Sequence, residues 1–136
     1  MIGPGARPLV VIDADVLGRR RTGDETYVAN LLRALPAAPG ADRLRLAAVT
    51  RFPELVPAGV EPVVLATASQ HVRMAVTFPR LLARLAPALV HLQYALPLGL
   101  RAPAVVTIHD LSFEGDAALM PGLDRAVFRW AVPRAA

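Results

Sequence analysis

Leu9-Val10-Val11-Ile12-Asp13 is an unbroken apolar run that ends on a carboxylate. Such runs form strands buried on both faces, as in parallel sheets, because no face has to be left polar for water. The residues after Asp13 fit a strand feeding a helix. A loop carries Gly18, the cluster Arg19-Arg20-Arg21 and Gly23, and a helix then opens with Thr22 and Glu25 at capping-box spacing. Val28, Leu31, Leu32 and Leu35 recur at i, i+3, i+4 and i+7, the pattern of one buried helix face. Pro36 and Pro39-Gly40 end it.

Further along, Leu44 to Val49 and Val63-Val64-Leu65 read as strands. A second helix is expected over residues 70–86, with Val72, Val76, Leu82 and Leu85 inward and a kink at Pro79. Leu89 to Leu92 and the β-branched stretch Ala104 to Ile108 are two more strands, and a last helix runs from about Leu123 to Val132. This order predicts an α/β, Rossmann-like fold: a mainly parallel sheet with helices on both faces, in one domain over residues 1–136. No internal repeat or dividing linker interrupts it.

The chain has 136 residues, 54% of them hydrophobic and 19% charged, enough for a real core and too apolar for a disordered chain. Its apolar runs are too short to span a membrane, and Met1 to Pro8 has no secretory-signal pattern, so a cytoplasmic protein is expected. The absence of cysteine excludes disulfides, a thiolate nucleophile and a Cys-ligated metal. All fifteen basic residues are arginine, and the formal charge is +4. That basicity reads either as compositional bias or as attraction to phosphates. With aromatics at 5% and no nucleic-acid-binding motif, a nucleic-acid partner is not expected.

In open α/β sheets ligands sit beyond the carboxyl ends of the strands. Three polar stretches share that rim: Asp13 to Gly23, His91 to Leu96, and His109 to Glu114. The first is a glycine-bearing loop opening a helix, which presents backbone N–H groups to an anion. It reads equally as a tight turn with a capped helix, and the arginine cluster as a solvated loop. In His91-Leu-Gln93-Tyr94, alternation sends His91 and Gln93 to one side and Leu92 and Tyr94 to the other. His109 leaves its strand toward the rim, with Asp110 beside it to orient it or to cap the next segment. Each histidine also reads as a hydrogen-bonded structural residue.

Other chemistries lack their patterns. No G-x-S-x-G elbow surrounds Ser69 or Ser112, the first turn is neither G-x-G-x-x-G nor a P-loop, and the three histidines lack metal-ligand spacing.

Together, several segments resemble the N-terminal domain of family-4 glycosyltransferases, proteins of the GT-B fold. They are Ile12-Asp13-Ala14, Arg21-Thr22-Gly23, Tyr27-Val28-Ala29-Asn30-Leu31-Leu32, Phe78-Pro79-Arg80-Leu81-Leu82, His91-Leu-Gln93-Tyr94 with Leu96-Pro97, Val105-Val106-Thr107-Ile108-His109-Asp110-Leu111-Ser112-Phe113-Glu114, and Val132-Pro133-Arg134. The resemblance covers nearly the whole chain; V-T-I-H-D-L is its most specific piece. It implies a retaining, metal-independent transfer from a nucleotide-sugar donor to a sugar or lipid acceptor, with this chain as the acceptor-side domain and no cofactor. It implies a catalytic His109, with Asp110, near the transferring sugar, and a substrate-binding set of Gly18, Arg21, Thr22, Gly23, Tyr27, His91, Gln93 and Tyr94.

Two departures stand out. Relatives often carry T-G-x-G where Gly23 is followed by Asp24-Glu25-Thr26, and often an Asp where Ala88 stands. In relatives a further strand and a whole donor domain come after the last helix, so the domain is expected to be incomplete at its C-terminal end and the 136 residues alone inactive, poorly soluble or oligomeric. Arg73, Arg80 and Arg84 are expected on one solvated helix face, where relatives acting on lipids touch anionic membranes. The alternative functions are a non-catalytic nucleotide- or sugar-binding module, a subunit of a split transferase, or a remnant of a truncated gene.

Overall fold

The computed structural model describes residues 6–20 and 22–109. Five strands form one sheet: β1 (Leu9–Asp13), β2 (Arg45–Thr50), β3 (Glu61–Val64), β4 (Leu89–Gln93) and β5 (Ala104–Thr107). Their order is β3-β2-β1-β4-β5, and every pairing is parallel. The expected mainly parallel α/β sheet is therefore present, parallel throughout among the described residues. Arg21, Asp110 and the helix expected at Leu123 to Val132 lie outside those residues.

Alternation along the central strands sends side chains into two cores. On one face Ile12, Leu46 and Ala48 meet α1 (Thr22–Ala34) through Val28 and Leu32. On the other, Val11, Ala47, Val49, Val90 and Leu92 meet Phe78, Leu81 and Leu82 of a second helical stretch. Thus β1, buried from both sides, is the apolar run that its sequence predicted. Among the described residues β5 is an edge strand, and Val105 is exposed.

The second helical stretch departs from expectation. It consists of α2 (Gln70–Val72), a π turn (Arg73–Thr77) and α3 (Phe78–Leu85). The π turn widens the spacing, so that the Phe78 N–H bonds to the Arg73 carbonyl, five residues back. The inward positions become Arg73, Phe78, Leu81 and Leu82, while Val72 and Val76, expected inside, are exposed. Pro79 gives a reason. In that five-residue pattern its nitrogen would serve the Met74 carbonyl, but proline has no N–H. The Leu98 N–H takes that carbonyl instead, at 3.1 Å, tying the β4–β5 connection to the helix. The disruption therefore falls in the turn before Pro79, not as a kink at it.

Candidate functional site

The carboxyl rim of the sheet carries two polar clusters. The first is built from β4, β5 and α1. The β4–β5 register sets His91 opposite Val105 and Gln93 opposite Thr107, so these four share one face of the sheet. The first turns of α1 bring Tyr27 onto that face. His91 Nε2 lies 2.8 Å from Thr107 Oγ1, which lies 3.2 Å from the Tyr27 hydroxyl. Gln93 Nε2 is 3.5 Å from His91 Nδ1, and Gln93 Oε1 is 2.6 Å from His109 Nε2. The His109 ring meets Tyr27 edge-on, with centroids 4.7 Å apart, and Tyr94 stands 5.5 Å away. Aromatic pairs prefer such tilted, edge-to-face arrangements. Burial lowers the pKa of His91, Asp13 acts in the opposite sense, and His109 adds a smaller push downward.

Alternation alone misplaces Tyr94. Its φ is +65°, in the left-handed region where a residue with a side chain is strained, and the Ala95 N–H bonds back to the Gln93 carbonyl at 2.8 Å. This three-residue turn carries the Tyr94 ring away from the Leu92 side toward His109 and brings its hydroxyl 3.5 Å from Asp24 Oδ1. The Tyr94 N–H is held by the Thr107 carbonyl at 3.0 Å. Strain of this kind persists only where the surroundings fix it, and it clusters at functional sites.

The second cluster lies at the end of β1. Asp13 receives two hydrogen bonds from Arg73, 2.7 Å to Oδ1 and 3.2 Å to Oδ2, and both side chains are buried. Asp13 Oδ1 also accepts the Asp15 N–H at 3.2 Å. Asp15 in turn pairs with Arg19 and, at 3.0 Å, with Arg51. Arg73 is thus no part of a solvated basic face: it corrects the expected trio of Arg73, Arg80 and Arg84, leaving only the latter two outward. No local signal marked it: Arg73 and Phe78 stand five residues apart, an interval that a π turn and not a regular α-helix puts on one face.

Glycines separate into two kinds. Gly18 has φ +76°, and a Cβ there would sit 2.8 Å from the Phe52 ring, so the fold itself requires glycine. Its N–H is bound by Glu25 Oε1 at 2.7 Å. Glu25, expected to cap its own helix, has this carboxylate oxygen bracing the preceding loop. Gly23, in the first turn of α1, has nothing within 4 Å of an added Cβ.

Of the sequence-predicted site residues, Tyr27, His91, Gln93, Tyr94 and His109 come together. Gly18 lies in the loop that precedes α1, and Gly23 follows Thr22, the first residue of that helix. Sequence reasoning missed Thr107 and Asp24 as members of the first cluster and Asp15, Arg51 and Arg73 as the second. Among the described residues no group of three or more His, Asp or Glu is arranged to hold a metal. A groove of about 750 Å3 between Pro79, Arg80, Pro87 and Arg101 lies at the amino ends of β4 and β5, away from this rim. Fold and site together define a Rossmann-like α/β unit with a histidine–tyrosine cluster on its carboxyl rim. No family model, curated protein or solved structure matches the chain.

Proposed function

We propose that this chain is the acceptor-side part of a retaining, metal-independent glycosyltransferase of the family-4 kind, acting from the cytoplasm on a nucleotide-sugar donor and a sugar or lipid acceptor, with a second domain supplying the donor grip. The observation that supports it best is His109. It leaves β5 at the carboxyl rim, held by Gln93 and by the Tyr27 ring at the opening of α1. An imidazole fixed in this way suits acceptance of a hydrogen bond from a hydroxyl of the transferring sugar, an interaction preorganised for the transition state. Gly23 adds support. Packing among the described residues does not call for glycine there, whereas a phosphate approaching the helix N-terminus would.

In the native full-length protein, His109→Ala should lower turnover of a nucleotide sugar by about 10²–10³-fold, the order lost when one preorganised hydrogen bond to a transition state is removed. Folding stability should change by only about 1 kcal/mol, one hydrogen bond's worth. Unchanged turnover removes His109 from the mechanism. No transfer from any nucleotide sugar by the native protein overturns the reading itself.

A lipid acceptor would place the protein at a membrane surface. No described helix is long and apolar enough to cross a membrane. The outward face of the second helical stretch carries exposed Val72 and Val76 together with Arg80 and Arg84, apolar and cationic groups suited to anionic lipid. Flotation with anionic vesicles should exceed flotation with neutral ones, and Arg80→Glu/Arg84→Glu should abolish the difference. Equal flotation with both vesicle types ends the idea.

A further inference from the structure

Hydrogen-bond direction in the rim cluster carries one more step. A carboxamide is asymmetric: its oxygen only accepts and its nitrogen only donates. Gln93 Oε1 faces His109 Nε2 at 2.6 Å, which fits a protonated Nε2. Gln93 Nε2 faces His91 Nδ1 at 3.5 Å, which fits an unprotonated Nδ1. The proton of a neutral His91 then sits on Nε2 and is donated to Thr107 Oγ1, 2.8 Å away. Donation then runs in one direction from His109 through Gln93 and His91 to Thr107, whose hydroxyl meets that of Tyr27 in a bond that either oxygen can donate.

We propose that Gln93 is a positioning residue that couples the two imidazoles, locking both His91 and His109 as Nε2–H tautomers and leaving Nδ1 of His109 as the basic nitrogen of the site. The same amide disfavours a second proton on His91, because a proton on its Nδ1 would face the N–H of the amide. The burial that lowers the pKa of His91 acts in the same direction. A neutral His109 with a bare Nδ1 accepts from a hydroxyl and does not donate to a phosphate oxygen through that nitrogen. That His109 meets a substrate at all rests on the glycosyltransferase reading. The tautomer lock does not.

The test is long-range ¹H–¹⁵N NMR of the imidazoles in the native protein above pH 7.5, with His71 assigned by its substitution with glutamine. The expected spectrum places Nδ1 of both His91 and His109 at the shift of an unprotonated nitrogen and both Nε2 at that of a protonated one. Gln93→Glu offers only acceptors, so it should move Nδ1 of His91 to the protonated shift while His109 keeps its Nε2–H. A wild-type His91 protonated at Nδ1 overturns the proposal. So does a Gln93→Glu protein, folded by its dispersed amide spectrum, in which the Nδ1 signal of His91 stays put. Should that variant not fold, the wild-type spectrum alone decides. Failure of sugar transfer in the native protein would leave these spectra unchanged, so the two readings fail separately.

Discussion

Arg73→Met is expected to lower folding stability by about 3–5 kcal/mol, because it strands Asp13 as a buried carboxylate without its partner. Arg73 supplies two charge-assisted hydrogen bonds to Asp13, and its Nε also lies 3.9 Å from Asp15 Oδ2. Water cannot replace it readily, since the Arg73 side chain is 1% exposed. The Asp15 N–H that bonds to Asp13 would still stabilise the carboxylate, but one neutral donor does not neutralise a charge. The double variant Asp13→Leu/Arg73→Met removes both charges together. Replacing a buried pair with apolar residues is often neutral or stabilising, so this protein should recover most of the single variant's loss. Urea unfolding of wild type, both single variants and the double variant gives the cycle. A loss under 1 kcal/mol for Arg73→Met would mean that the pair is hydrated in solution.

Phe78→Ala should cost a similar amount, about 3–5 kcal/mol, from lost transfer energy and the cavity left behind. Phe78 is fully buried between the second helical stretch and β1, β2 and β4. It also carries the Arg73 guanidinium, whose carbon lies 4.4 Å from the ring centroid. A desolvated cation over an aromatic face is worth about 2 kcal/mol or more. The ring therefore does two jobs, filling the core and holding Arg73 against Asp13. Because the residues touch, Phe78→Ala and Arg73→Met should not add. Their combined cost should fall short of the sum by about 0.5–3 kcal/mol, the range for directly interacting residues. Strict additivity in the same urea series would show that Arg73 keeps its place without the ring.

Legibility in the sequence varies element by element. The run Leu9 to Asp13 announced a doubly buried strand, and it is one, since no polar residue breaks it. The stripe from Val28 to Leu32 likewise behaved as helical spacing requires. Val72 and Val76 did not, because a standard period of 3.6 residues no longer holds once a π turn intervenes. The turn depends on a carbonyl at Met74 being served by Leu98, twenty-four residues away, which no local pattern reveals. Tyr94 failed for a related reason. Period-two alternation holds only while the chain stays extended, and its positive φ ends the extension one residue after β4.

Composition and periodicity were sufficient for the parallel α/β architecture with helices on both faces, because burial of apolar residues is an averaged property that survives local irregularity. The pattern also put His91, Gln93, Tyr94 and His109 on one rim, while Tyr27 entered through the family resemblance. Which atoms meet there was settled only by tertiary structure. The pairing of Gln93 with both histidines, the bond from Thr107 to Tyr27, and the burial of Arg73 against Asp13 each join residues from separate elements. Such contacts depend on strand register and on the rotation of a helix about its own axis. A hydrogen bond is made or lost over less than an ångström, a far finer tolerance than the pattern of apolar residues sets.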